Sequence, residues 1–120
     1  MKSIKIIAFD IDETLCTINK KNQKKLNKYY FARPLYKNIK LLNKLYQKGH
    51  YIKLYTSRGM TRYKKNVKKI KNKYEKLTKN QLIKWKVNYH ELIFGKENYD
   101  IIIDDKSANI SKKINLNKLI

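Results

Sequence analysis

The stretch Ile4-Lys5-Ile6-Ile7-Ala8-Phe9-Asp10-Ile11-Asp12-Glu13-Thr14-Leu15 decides the fold. Residues 4–10 form a short apolar run, rich in β-branched side chains, that ends in acids. Such a run predicts a buried strand. Asp10 and Asp12 follow at its carboxyl end, and residues two apart in an extended turn point to the same side. Holding carboxylates together is unfavourable unless a cation offsets their repulsion. Paired acids at a strand end therefore mark a candidate site.

Working outward, residues 15–31 are polar and lysine-rich and predict a loop or small hairpin excursion. Pro34 suits the first position of a helix. Leu35, Ile39, Leu42 and Leu45 then recur at spacings of 4, 3 and 3 on one helical face, and Gly49 is the expected stop. Residues 50–55 predict a second strand that runs into Thr56-Ser57-Arg58-Gly59. Tyr63, Val67, Ile70, Tyr74 and Leu77 recur at spacings of 4, 3, 4 and 3 and predict an amphipathic helix over 61–77. The lysines between 64 and 73 fall to its solvated side. Thr78 or Asn80 is expected to cap a further short helix through Val87 that buries Leu82, Ile83 and Trp85. Residues 91–94 predict a short strand and residues 100–103 a stronger one, followed by a short helix and a terminal strand.

Alternation of strands and helices predicts an α/β fold: a three-layer αβα domain over 1–120, with a central parallel sheet and right-handed crossovers. Residues 15–31 form its flap. In such sheets ligands sit beyond the carboxyl ends of the strands. The residues expected there are Asp10 to Thr14, Thr56 to Gly59, Gly95-Lys96 and Asp104-Asp105.

Composition narrows the classes. A chain of 120 residues, 42 % of them hydrophobic, suits one domain with one core. No apolar run is long enough to cross a bilayer, because Asp10 interrupts the first. The same acid breaks a signal-peptide core, so an intracellular location is expected. Cys16 is the single cysteine, which excludes an intramolecular disulfide framework and a cysteine-rich zinc site. The 30 basic residues against 9 acids give a net charge of +21 and invite a nucleic-acid reading. Yet 27 Lys, 16 Ile, 13 Asn and 10 Tyr make up 66 of the residues, and only 3 basic residues are Arg. Selection for phosphate binding would not raise Ile and would favour bidentate Arg. A/T-rich coding raises all four, so most of the charge is assigned to coding bias. A small phosphorylated substrate is expected, with nucleic acid as the alternative.

The chemistry lies in the two acid pairs. Asp10, Asp12, Asp104 and Asp105 are 4 of the 9 acids, each pair following an apolar run. Oxygen ligands that leave positions for water and a phosphate suit Mg²⁺. Asp10 could attack phosphorus and form an aspartyl-phosphate. Asp12 could protonate the leaving oxygen and later activate water. Thr56, with Ser57, would offer hydroxyl and N–H groups to phosphate oxygens, and Lys96 would supply a fixed positive charge. Phosphate-monoester hydrolysis requires enhancements of up to about 10²¹, which no single group supplies.

Other residues have plainer readings beside the functional ones. Cys16 lies near Asp12 but has no neighbouring base in the sequence, so a buried structural thiol is expected. His50 and His90 are lone, and metal ligation by either is not expected. Arg58 could reach the substrate or serve as an ordinary turn residue. Arg33, with Tyr29, Tyr30 and Phe31, could line an entrance, or the aromatics could pack under the loop.

The ordered set resembles the haloacid-dehalogenase (HAD) superfamily of phosphatases. The first motif is Phe9-Asp10-Ile11-Asp12-Glu13-Thr14-Leu15, the second Tyr55-Thr56-Ser57, the third Lys96 and the fourth Asp104-Asp105. A closer similarity is to the small capsule-biosynthesis phosphatases. It rests on Ala32-Arg33-Pro34, Leu45-Tyr46-Gln47-Lys48-Gly49-His50, Tyr55-Thr56-Ser57-Arg58-Gly59-Met60 and Phe94-Gly95-Lys96, followed by Ile103-Asp104-Asp105-Lys106-Ser107. The resemblance implies a Rossmann-like core and a Mg²⁺-dependent aspartyl-phosphate mechanism. It implies Asp10 as nucleophile and metal ligand, and Asp12 as acid/base and a ligand through its carbonyl. Thr56 and Lys96 would hold the phosphate, and Asp104, with Asp105 directly or through water, would complete the metal site. About 40 residues separate consecutive motifs at Asp10, Thr56 and Lys96. That leaves no room for a full cap domain, so a capless member is expected. The expected activity is hydrolysis of a soluble phosphomonoester such as a sugar phosphate. The alternatives are a polynucleotide 3′-phosphatase and a non-catalytic nucleic-acid or phosphate-binding module on the same scaffold.

Overall fold

The computed structural model describes residues 3–112. In chain order it contains β1 (Ile6–Asp10), β2 (Cys16–Thr17), β3 (Arg33–Pro34), α1 (Tyr36–Gln47), β4 (Tyr51–Thr56), α2 (Val67–Lys84) and β5 (Glu91–Phe94). Single 3₁₀ turns at Lys20–Asn22 and Lys28–Phe31 fill the excursion between β2 and β3. The central sheet is parallel, in the order β1-β4-β5. Asp10 lies opposite Tyr55, and Thr56 opposite Phe94, so all three strands end on one edge. β2 and β3 pair antiparallel as a short ribbon beside that edge.

Register sets the core. Phe9 is opposite Leu54 and Ile7 opposite Ile52, which aligns their side chains on one face. Ile39, Leu42 and Leu45 of α1 and Leu82 of α2, with Trp85 and Val87 beyond it, join Phe9, Ile52 and Leu54 in a single buried cluster. Each such side chain contributes roughly 1.5–3 kcal/mol when taken out of water. Ile70 and Tyr74, from the first half of α2, pack on Met60 and Phe94 in a second cluster. Both described helices thus serve the face of Phe9, Ile52 and Leu54. The alternate residues Ile6, Ala8 and Tyr55 are exposed.

Several boundaries differ from the sequence expectations, each for a local reason. Pro34 belongs to β3 rather than to the helix, because the N–H of the next residue, Leu35, donates to Leu15 O at 2.8 Å and holds the chain extended. Gly49 does stop α1, at φ 93°, donating to Tyr46 O. Residues 58–65 form turns rather than the first part of a helix, with Lys64 and Lys65 at φ 47° and 66°. The Asn66 side chain then caps α2 by accepting from Lys69 N at 3.2 Å. α2 is continuous to Lys84, so Thr78 lies on its buried stripe instead of capping a second helix. That phase turns Ile83 to solvent.

The strand expected at 100–103 does not form. A β-branched run needs a partner ladder to become a strand, and residues 101–103 have none among the described residues; Ile103 is 95 % exposed. β1, likewise, pairs only with β4 among the described residues. The terminal strand expected at the end of the chain falls at residues outside those described. Among the described residues no helix is long and apolar enough to cross a membrane.

Candidate active site

The turn after β1 is wound around one carbonyl. Ile11 O accepts from Leu15 N at 2.8 Å, Thr14 N at 3.2 Å and Cys16 N at 3.3 Å. Glu13 sits in the left-handed region at φ 65°, which costs a non-glycine residue about 1–2 kcal/mol. Its own carboxylate offsets that strain by accepting from Thr17 Oγ1 at 2.9 Å and Ile18 N at 3.3 Å. The turn therefore presents Asp10 and Asp12 in a fixed frame.

Asp10 closes β1, half-buried, with Oδ1 3.4 Å from Lys96 Nζ. Burial pushes its carboxyl above the usual range, while Lys96 pulls the other way. Lys96 is placed by its main chain, whose N–H donates to Thr56 O at 3.1 Å. Its ammonium lies 3.0 Å from Tyr99 Oη and over the Tyr99 ring. Burial opposes the charge of Lys96, but the Tyr99 hydroxyl and Asp10 hold it above its usual range. Thr56, the last residue of β4, is buried, and its Oγ1 accepts from Arg58 N at 3.1 Å. Ser57 is the half-buried hydroxyl of this turn. The structure thus places Asp10, Lys96 and Thr56 on one edge.

Arg58 requires a correction. It does not point toward a substrate: it is 1 % exposed and turned into the protein. Its Nε donates to Asp12 Oδ2 at 3.0 Å and its Nη2 to Asp12 Oδ1 at 3.0 Å. Nη1 donates to Thr78 Oγ1 at 3.0 Å and Gln81 Oε1 at 2.7 Å. The Tyr29 ring covers the guanidinium at 4.8 Å. A buried cation has to be paired and fully hydrogen-bonded, and α2 supplies the groups that the turn cannot. Thr78 and Gln81 were not anticipated as site residues. The signal was available: two polar side chains on the stripe that buries Ile70, Tyr74 and Leu82.

The remaining candidates separate cleanly. Cys16 is buried, donates to Asp12 Oδ1 at 3.4 Å, and has its thiol pushed up by burial, as befits a structural residue. His50 Nδ1 accepts from Lys5 N and His90 Nδ1 from Ile52 N, so both rings serve the backbone. Arg33, Tyr30 and Phe31 do line a hollow of the excursion, with Lys21 and Lys25, whereas Tyr29 turns inward to Arg58. Asp104 and Asp105 are exposed and stand apart from Asp10 and Asp12. Asp104 Oδ1 accepts from Lys106 N at 3.0 Å, and this bond holds its carboxyl below the usual range. Among the described residues no three acidic, histidine or cysteine side chains converge. The Asp10 carboxylate and the Asp12 carbonyl are hard oxygen donors of the type Mg²⁺ takes; Asp104 and Asp105 are the same type but are not gathered with them.

The family model described as polynucleotide kinase 3 phosphatase matches residues 5–100. That span includes Asp10, Asp12, Thr56, Arg58 and Lys96 and ends before Asp104. The crystal structure of a target protein from Vibrio cholerae is similar, with a TM-score of 0.82 and 29 % identity over 97 % of this chain and 94 % of that one. No significant match was found among curated proteins.

Proposed function

The chain belongs to the polynucleotide kinase 3 phosphatase family, which is HAD-like, and on that premise we propose that it hydrolyses a terminal phosphomonoester of a nucleic acid. The observation that carries the reading is Asp10, ion-paired to Lys96 at 3.4 Å, two residues from Asp12 at the carboxyl edge of the sheet. Asp10 attacks phosphorus and the bond to the leaving oxygen breaks. Asp12, which enters this step in its protonated form, delivers the proton that turns this oxygen into a hydroxyl. Asp12 then takes a proton from water, the water oxygen bonds to phosphorus, and the P–O bond to Asp10 breaks to release inorganic phosphate. Lys96 and the turn at Thr56 and Ser57 balance the charge of the phosphoryl oxygens.

Asp10 and the Asp12 carbonyl are the residues that would hold Mg²⁺; Asp104, with Asp105 directly or through water, stands apart from them in this structure and would complete the site only once brought to it. When bound, the ion neutralises phosphate charge and orients the group. The segment over residues 16–34 contains only two short strands and two 3₁₀ turns, so we treat the enzyme as capless, with an edge that a polymer end could approach. The family match supports a nucleic-acid substrate; the net charge of +21, even where coding bias sets most of it, attracts a polyanion. The narrower kinship with capsule-biosynthesis phosphatases rests on the sequence segments quoted above.

The test is phosphate release from a 3′-phosphorylated oligonucleotide, a panel of sugar phosphates and p-nitrophenyl phosphate, with Mg²⁺ and with chelator. Metal-dependent turnover that favours the oligonucleotide and is lost in Asp10→Asn is the expected result. Preference for a sugar phosphate would overturn the substrate class. Turnover that survives Asp10→Asn would overturn the mechanism.

A further inference from the structure

The Asp12–Arg58 pair is one-sided. The Arg58 side chain is 0 % exposed while that of Asp12 is 24 % exposed. The carboxylate is gripped from the protein side and open on the other. Two parallel N–H donors fix the plane of a carboxylate as well as its position, and here they reach both oxygens of Asp12 at 3.0 Å. The fork is itself immobilised, because Nη1 is held by Thr78 and Gln81 from α2. Gln81 Nε2 also donates to Tyr29 O at 2.6 Å, and Tyr29 Oη accepts from Gly59 N at 3.4 Å. A chain of contacts thus runs from the excursion through Gln81 and Arg58 to Asp12.

We propose that Arg58 is a positioning residue that sets the Asp12 carboxylate for proton transfer, and that Gln81 holds Arg58 in place while fastening the excursion to it. This rests on the reading of Asp12 as proton donor. Arg58 touches no substrate in this scheme. Its effect passes through the orientation of Asp12 and so falls on reactions in which the leaving oxygen needs a proton.

That selectivity is the test. With Mg²⁺ present, kcat/KM reports the chemistry up to formation of the aspartyl-phosphate. It is compared for a 3′-phosphorylated oligonucleotide, whose alkoxide leaving group requires a proton, and for p-nitrophenyl phosphate, whose leaving group does not. Asp12→Asn is the reference variant, and its expected loss is about 10²–10⁴-fold on the oligonucleotide and far less on the aryl ester. Arg58→Lys keeps the charge but loses the fork. Gln81→Met keeps the ion pair but frees the guanidinium and the excursion. Arg58→Lys should lose about tenfold or more on the oligonucleotide, and Gln81→Met less, while the aryl ester changes little for either. Melting curves accompany each variant, and Gln81→Met carries the test should Arg58→Lys fail to fold. Equal losses on both substrates, or no loss on either while Asp12→Asn remains selective, would overturn the positioning role. An unselective Asp12→Asn would instead overturn the reading of Asp12 itself, and this inference with it.

Discussion

The turn that carries Asp12 and the segment that carries Asp104 start from the same kind of sequence, an apolar run ending in two acids. They end differently. The first run is β1, laddered to β4, and its acids are met by Lys96 and Arg58. Among the described residues the second run has no ladder, and Asp104 is hydrogen-bonded by its own neighbours Lys106 and Ser107. An acid pair is therefore placed by what faces it rather than by the strand-like run before it. For Asp12 that facing group comes from 46 residues away.

Removing the charge at the locked pair should have the largest effects. Asp10→Asn, which keeps the shape and loses the nucleophile, should lower turnover by more than about 10³-fold in phosphate-release assays, with little change in melting temperature. Arg58→Ala should cost about 3 kcal/mol in urea unfolding, because it leaves Asp12 without its buried partner. The 24 % exposure of Asp12 keeps this at the low end of such losses. Gly59→Ala comes next. Gly59 has φ 79°, and an added Cβ would lie 2.7 Å from Tyr74 Cε2, so a loss of about 1–3 kcal/mol is expected from strain and overpacking. At the bare pair, Asp104→Asn should leave stability within about 0.5 kcal/mol while raising the Mg²⁺ concentration needed for half-maximal activity. Equal destabilisation by Asp104→Asn and Arg58→Ala would erase the contrast between the two regions. The smallest effect concerns Cys16. Burial raises its thiol, so little thiolate exists at neutral pH, and alkylation by iodoacetamide, followed by mass, should be slow until urea unfolds the chain.

Much of the fold was legible. The periods at Ile39, Leu42, Leu45 and at Ile70, Tyr74 named the helices, and the apolar runs ending in Asp10 and Thr56 named two strands of the parallel sheet. These signals are local, and burial enforces them directly. What was not legible depended on distant partners. Whether residues 101–103 form a strand depends on a neighbour, and the run itself is silent on that. Arg58 read as a substrate contact or an ordinary turn residue because its partners lie far off in sequence, in the turn at Asp12 and on α2 at Thr78 and Gln81. The split expected near Thr78 followed from its usual role as a cap. On the continuous helix its hydroxyl has another use, as an acceptor for Arg58 Nη1.

The outer edge of β1, which pairs with no strand among the described residues, has a colloidal consequence. Beside that edge stand the exposed side chains of Ile4 and Ile6, and elsewhere on the surface those of Ile101 to Ile103. An open edge with apolar flanks is a template for another strand. Copies of this chain each carry a formal +21, and that like charge keeps such edges apart only over the reach of the field. This reach is about 10 Å at 0.1 M salt and about 3 Å at 1 M. Added salt, usually a remedy for a sticky basic protein, should here drive edge-to-edge association, seen as a rise in scattering with ionic strength.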